Sequence, residues 1–596
     1  MKIILRNYKI WLPAAFWGGV IGFAYLFLLN QQATLQGVGL ILSFLYLWLI
    51  FGLLIYFLLP KVVIPRLKDF SNSWKITWFF ASLFAGFWIA LNIPLKASGT
   101  AFVNPRIYKL LFLASNGLTL GVLLFIISIF LATRKPRLID QEQPGRWRWL
   151  IYALPMLTIW GIYLLAFWPG MMSADSIDQW GQVLSGQFTD HHPAIHTFII
   201  WLLTRIYLSP VVIALAQILA LGLLAGLVLA YFESMNVQPA LLWIASFLFA
   251  LSPVNGTMVN TLWKDIPYST TVLFLSFLVL RMVHTHGDWL KDKWSWLLLG
   301  ITAALMSLIR YNGGPIVLGT FVLLLLIFRR QWKPLLYSAL LTAVLFLGVR
   351  GPLFNLVGVQ KSTDLVEATT SLYRIAAQAV PGGQTDTVLN SMNPLASSWD
   401  CSIIMQLSQA VKNEPPAINA SLGQEAANLV KHLPGLLVYD YRCQRSLVWV
   451  IWDPNGQVLN TSHVEVLDDP NPYGIVPDSK MPYLQTRIAN FVETTAKDTG
   501  INWLVWRPAL YLYLFLFNVS ILALTMKDWR YLLIAVPILL QSIEATLITI
   551  SPNFRYHYAA YLLALLFWPL LFARNQASAK GRPAQAAEEA NASSAA

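Results

Sequence analysis

Long apolar runs separated by short polar or basic links make up most of the chain. A run of roughly 17 to 25 apolar residues is enough to cross the hydrocarbon core of a bilayer as a helix, and Trp11 to Leu29 and Val38 to Leu59 already meet that requirement. The pattern repeats as far as residue 573. It predicts an all-α polytopic membrane protein with about fourteen transmembrane helices. They are expected near residues 10–29, 36–60, 76–96, 107–132, 149–168, 209–231, 240–253, 268–285, 294–310, 314–328, 334–350, 507–524, 530–548 and 556–573.

Two stretches depart from this pattern. Residues 169–208 follow the fifth run and include a short apolar segment, Pro193 to Leu208, which carries Arg205 and has three histidines close by. Proline suits a first helical turn, where its missing N–H would be unpaired in any case. The segment is expected to lie at the outer interface or to enter the membrane only part-way. Residues 351–506 are rich in Pro, Asn, Asp, Ser and Gly and are long enough for a domain. Helical patterning near 417–432 and strand-like patterning near 446–466 predict an α+β extracytoplasmic domain. The expected order is an N-terminal four-helix membrane region (1–148), a membrane core (149–350), the outer domain (351–506), C-terminal transmembrane helices (507–573) and a small-residue, polar tail (574–596) with the composition of a disordered segment.

Composition supports the membrane class. The 596 residues are 57% hydrophobic and only 12% charged, about half the charge of an ordinary soluble domain. A net charge of +13 would suit a nucleic-acid partner, but the basic residues sit in short clusters between apolar runs and form no single patch. They act as topology signals, because Lys and Arg accumulate on the cytoplasmic side. Clusters such as Lys61/Arg66/Lys68/Lys75, Arg329/Arg330/Lys333 and Lys527/Arg530 agree on one orientation if Pro193 to Leu208 does not cross. Both termini are then cytoplasmic, the first run is a retained signal anchor, and the plasma (inner) membrane is the expected location.

Four cations violate that rule. Lys264, Arg310, Arg350 and Arg555 fall at the outer ends of spans, where lipid headgroups, local acids or a phosphate-bearing ligand would account for them. In the first outer loop Asp175 and Asp178 are three residues apart and share a face on a helix. Such a carboxylate serves as a general base, as a metal ligand or as a helix-start acid favoured by the dipole. Asp190, His191, His192 and His196 form a second cluster in which His192 and His196 have the i,i+4 spacing of two metal ligands. No glutamate follows the first histidine as in the metalloprotease pattern, so a divalent metal held by Asp190, His192 and His196 stays one option among several. Further constellations are Ser252-Pro253 through Lys264-Asp265-Ile266-Pro267, Arg310-Tyr311, and Arg555-Tyr556.

The order of these elements resembles that of the C-type (GT-C) integral membrane glycosyltransferases, which use polyprenyl-phosphate-linked sugars. The corresponding residues are Asp175, His192-Pro193, Ser252-Pro253 with Lys264-Asp265-Ile266-Pro267, Arg310, and Arg555-Tyr556, spread over 149–350 and 507–573. Departures exist: Ser176 follows Asp175 where the family often has a second acid, and His192-Pro193-Ala194 stands for His-Pro-Pro. The resemblance implies a GT-C-like core and transfer of a sugar to a glycan, lipid or protein acceptor. Asp175 or Asp178 would be the base. His192, Lys264, Asp265, Arg310, Tyr311, Arg350, Arg555 and Tyr556 would bind substrate. A transporter or flippase of lipid-linked glycans, or a ligase, would use similar outer cations.

The two cysteines, Cys401 and Cys443, both lie in the 351–506 stretch. If that stretch is extracytoplasmic, a disulfide between them is plausible and would stabilise it by roughly 4 kcal/mol through loop closure. A mobility shift on reduction that Cys401→Ser abolishes is the expected result; equal mobility under both conditions would refute the bridge.

Overall fold

The computed structural model describes residues 8–29, 38–58, 64–93, 105–134, 145–360, 447–451, 471–497, 500–547 and 553–573. Where described, the apolar runs are helical, and among the described residues no extended strand forms; isolated parallel bridges join Met171 to Thr261 and Thr189 to Gln360. Eight helices are long and apolar enough to cross a bilayer, and a bent pair makes a possible ninth. The chain is therefore a multi-pass helical membrane protein. Outward-facing apolar side chains such as Phe84 (71% exposed) and Leu318 (66%) are those a lipid solvent would cover.

The expectation of fourteen spans is not reached by length alone. Several runs fold as helices too short to count, among them those of 17 residues from Lys293 and 15 from Gly313. The Pro193 segment forms Ala194–Thr204, 11 residues, or about 17 Å, against the ~30 Å of a hydrocarbon core. Cys401, Cys443, the 417–432 segment and the 574–596 tail lie outside the described residues, as does most of 446–466, whose described residues 447–449 are helical.

The chain divides into two compact units. The first comprises Met1–Ile139, Trp449–Asp453 and Ser520–Asp528. Its helices α1 (Tyr8–Leu29), α2 (Val38–Leu58), α3 (Asn72–Leu91) and α4 (Pro105–Ala132) pack chiefly as pairs, α1 on α2 and α3 on α4. Small residues allow the close approach: a Cβ on Gly86 would stand 2.2 Å from the backbone nitrogen of Gly121.

The second unit, Asp140–Val448, Pro454–Val519 and Trp529–Ala596, holds the candidate chemistry. Its elements are α5 (Arg148–Ala166), α6 (Ala174–Ser185), α7 (Ala194–Thr204), α8 (Val211–Ser234), α9 (Pro239–Leu251), α10 (Pro253–Val259), α11 (Asp265–His284), α12 (Lys293–Ile309), α13 (Gly313–Ile327), α14 (Trp332–Gly348), α15 (Pro482–Lys497), α16 (Pro508–Met526, whose last turns belong to the first unit), α17 (Val536–Leu547) and α18 (Tyr558–Phe567). Their ends follow local chemistry. Asp292 caps α12 by accepting from the Ser295 N–H, and Gly186 ends α6 in the left-handed conformation (φ 71°).

Between α9 and α10 the chain bends by 60°. Pro253 lacks the N–H needed to continue α9, and Ser252 caps the next helix by accepting from the Asn255 N–H at 3.3 Å. Buried side chains take up carbonyls around the break. The Asn255 amide donates to Phe249 O at 2.9 Å, and the Gln217 amide donates to both Val259 O and Thr261 O at 2.9 Å. Tyr558 donates to the Asn255 side chain at 2.8 Å, tying α18 to α10. In a low-dielectric setting each lost partner would leave a costly orphan.

Helices α5 and α8 touch along a seam where Gly226 faces backbone: an added Cβ would lie 2.1 Å from Trp149 O and 2.9 Å from Ala153. Gly226→Ala should therefore destabilise the second unit by about 1–3 kcal/mol, the range of overpacked interfaces. Gly161→Ala, where nothing lies within 4 Å, should be close to neutral. Equal thermal midpoints in detergent for the two variants would contradict this packing.

Candidate active site

Three turns of chain converge at one end of α11. Trp263, Lys264 and Asp265 lead into that helix, Arg310 ends α12, and Arg555-Tyr556 form a 3-10 turn ahead of α18. The fourth contributor is the first turn of α6. Its position is fixed by Ser176, whose hydroxyl accepts from the Ser173 N–H at 3.2 Å and donates to Leu262 O at 2.8 Å. The Met171 N–H donates to Asn260 O and the Leu262 N–H to Met171 O, both at 2.9 Å, which locks the loop before α6 to the strand-like link before α11.

Asp175 projects from that turn into a set of cations. Its Oδ2 accepts from Arg555 Nη1 at 2.9 Å and lies 3.6 Å from Lys264 Nζ. His192 stands beside them, Nδ1 at 2.9 Å from Lys264 Nζ and Nε2 at 4.0 Å from both Asp175 and Asp178. Because the ammonium can only donate, Nδ1 is the acceptor and the ring proton sits on Nε2, facing the two carboxylates. Asp178 is about half exposed and accepts from the Gln182 amide at 2.9 Å. It lies at the rim of the cluster.

Asp265 is fully buried between two guanidinium groups, 3.0 Å from Arg310 Nη1 and 3.8 Å from Arg555 Nε, with neither contact aligned as a hydrogen bond. The neighbours Lys264 and Asp265 thus pair outward, with different partners. Rings hold the cations in place. Tyr556 stands between two guanidiniums, its centroid 4.9 Å from Arg310 and 5.2 Å from Arg555, while Trp263 and Tyr268 cover the other sides at 4.9 and 5.2 Å. Trp263 is anchored by a 2.6 Å hydrogen bond to Ser173. Neither its ring nor that anchor is visible in the spacing of charged residues.

Arg350 belongs to a separate group. It lies in a π-helical turn (Val349–Leu353) and donates to Asp190 Oδ2 at 2.8 Å. Tyr311 donates to Asp190 O, and its ring faces Arg350 at 5.1 Å. Asp190 Oδ1 also accepts from the Ala194 N–H at 3.3 Å, so this aspartate starts α7 and fixes the segment that carries His192.

The candidate metal set of Asp190, His192 and His196 does not come together. His192 precedes α7, so the i,i+4 relation with His196 does not put the two rings on one helical face. His196 is buried against Gln179 at 3.0 Å, and Asp190 is committed to Arg350. Among the described residues no group of three or more His, Cys, Asp or Glu side chains is arranged to hold a metal ion.

Charge balance shapes the protonation of the cluster. Burial alone would raise the Asp175 carboxyl, but Arg555, Lys264 and His192 outweigh it and hold the group well below the usual carboxylate range. Burial likewise disfavours the cation on Arg555, and Tyr556, Asp175 and Asp265 more than restore it. Burial and then the Lys264 charge keep His192 neutral, well below its ordinary value. Three cations, Lys264, Arg310 and Arg555, stand among three carboxylates, Asp175, Asp265 and the rim residue Asp178, beside a neutral imidazole. No family model matches the sequence, and comparison with curated proteins and with solved structures returns no match.

A histidine held neutral in the fold and free to protonate when unfolded makes the unfolded state the better proton binder below its ordinary value of 6.5. Stability should thus fall as pH drops through that value, by about 1 kcal/mol at pH 5.5 for one such group. His192→Gln should shrink the loss of thermal midpoint between pH 7.5 and 5.5. An unchanged loss would remove His192 from the effect.

Proposed function

We propose that the protein is a glycosyltransferase that moves a sugar from a polyprenyl-phosphate-linked donor to an acceptor hydroxyl on the outer face of the membrane. One observation carries this reading: Lys264, Arg310 and Arg555, partly buried cations from three distant parts of the chain, gather around two carboxylates, Asp175 on a helix start and Asp265. A lipid-linked sugar phosphate is an anion presented at a membrane surface, and such a cluster meets both demands. The shared order of Asp175, His192-Pro193, Lys264-Asp265, Arg310 and Arg555-Tyr556 with the GT-C pattern adds to it.

In this mechanism the acceptor oxygen attacks the anomeric carbon, the bond from that carbon to the phosphate oxygen breaks, and polyprenyl phosphate leaves with the electron pair. The acceptor proton passes to a carboxylate. Asp175 as it stands is a weak base, since Arg555 and Lys264 already stabilise its charge. A donor phosphate competes for those same two cations. Each cation drawn toward the phosphate stops lowering Asp175, whose burial then raises it toward a useful basicity. The cations are fixed before the bond breaks, so the charge that develops on the leaving group meets donors already in place. Asp265, between Arg310 and Arg555, holds the guanidiniums at the correct spacing.

The test is sugar transfer by the purified full-length protein in nanodiscs from a panel of polyprenyl-phosphate sugars. Asp175→Asn should lower kcat for transfer or for donor hydrolysis by about a hundredfold or more without raising the KM for donor, because it releases the phosphate-binding cations. Arg310→Ala should weaken donor use and leave membrane insertion unchanged. Equal turnover by Asp175→Asn would move the base elsewhere. Failure of the parent protein on every donor would favour a transporter or ligase of lipid-linked glycans.

A further inference from the structure

The far end of α11 carries a second basic cluster, with a different character. Helix α11 begins at Asp265 in the candidate active site and runs 20 residues to His284, or about 30 Å, roughly one hydrocarbon thickness. Helix α12, 17 residues from Lys293 to Ile309, or about 26 Å, returns beside it to Arg310. A cavity of about 760 Å³ opens at that far end, lined by Lys291, Arg329, Arg330 and Arg530 with a single carboxylate, Asp288.

Topology alone requires basic residues on one side of the membrane; it does not require them to converge. Here three separate turns bring them to one cavity: a 3-10 turn after α11 (Asp288–Lys291), another after α13 (Arg329–Gln331) and a third at Trp529–Ala535. The first turn is shaped by two successive left-handed residues, His286 (φ 53°) and Gly287 (φ 91°). A Cβ on Gly287 would fall 2.7 Å from the end of the Gln331 side chain, so the two turns meet closely at this point. Arg530 is oriented across the gap by His286, with Nη2 2.8 Å from the ring Nδ1. Asp288 is taken up by Lys291 at 2.8 Å, which leaves Arg329 and Arg330 exposed to the cavity mouth. Leu326 and Ile327, 54% and 50% exposed, line the same cavity.

We propose that this cavity binds a phosphate group, presented by an anionic phospholipid whose acyl chains lie along Leu326 and Ile327. Guanidinium pairs match phosphate oxygens in geometry and charge, and the exposed leucine and isoleucine beside them favour an amphiphile over a free ion. The site is separate from the glycosyltransferase reading and stands without it.

Native mass spectrometry of the full-length protein released from nanodiscs of mixed phosphatidylglycerol and phosphatidylcholine tests the site. The parent should retain phosphatidylglycerol selectively, and Arg329→Gln with Arg330→Gln should lower that retention by about thirtyfold, at roughly one Boltzmann-weighted charge contact per arginine. Arg329→Lys with Arg330→Lys should restore most of it, which separates charge from folding. Inorganic phosphate that displaces the lipid at millimolar concentration and is itself lost in the Gln variant would support the phosphate site and assign it to a soluble phosphate compound. Equal phosphatidylglycerol retention by parent and Gln variant would overturn the site, as would equal retention of phosphatidylcholine by the parent.

Discussion

A charge removed from water must find its counter-charge inside the protein, and the second unit is organised around meeting that demand for Asp265. An unpaired buried carboxylate would cost several kcal/mol. Arg310 from the end of α12 and Arg555 from the turn before α18 lie to either side of it. Arg555 extends the same network to Asp175 on α6, and Lys264 extends it to His192. Segments hundreds of residues apart in sequence are thus registered against one another by ionic contacts, and the aromatic faces of Trp263, Tyr268 and Tyr556 limit how far the cations can swing.

The break between α9 and α10 answers a related demand from the backbone. Carbonyls released by a bend in an apolar setting need donors, and the amides of Gln217 and Asn255 provide them. After the bend α10 runs to Val259, just before the Asn260–Leu262 link that pairs with Met171 and leads to Lys264. Polar residues that look out of place in apolar runs are therefore part of how the cluster is aimed.

The helical class was legible because apolar runs of membrane length have few alternatives. Most of the cluster was legible for a similar reason: Lys264, Arg310 and Arg555 stand at ends of apolar runs where the expected orientation disfavours cations, and Asp175 follows such a run directly. What sequence spacing did not show was partnership. Arg350 fell in with the other three by position, yet its guanidinium reaches Asp190, because the π-helical turn and Tyr311 direct it there. His192 and His196 had ligand spacing, but the helix that would align them begins only after Pro193. Trp263 offered no signal at all, since a tryptophan near an interface is ordinary. Among the described residues eight helices have the length and composition of a span; α12 and α13 fill their apolar runs but are only 17 and 15 residues long, and α18 gives way to a 3-10 turn at Trp568.

The two ends of α11 differ in how much solvent their cations meet. Lys264, Arg310 and Arg555 keep only 12–15% of their side-chain surface, whereas Lys291 keeps 73% and Arg329 and Arg330 are exposed. Mobile ions screen exposed charges over about 8 Å at physiological ionic strength and reach buried ones far less. One helix therefore joins a strongly screened field to a weakly screened one. Rising salt would weaken the electrostatics of one end of this helix far more than those of the other, so the two ends respond to different properties of their surroundings.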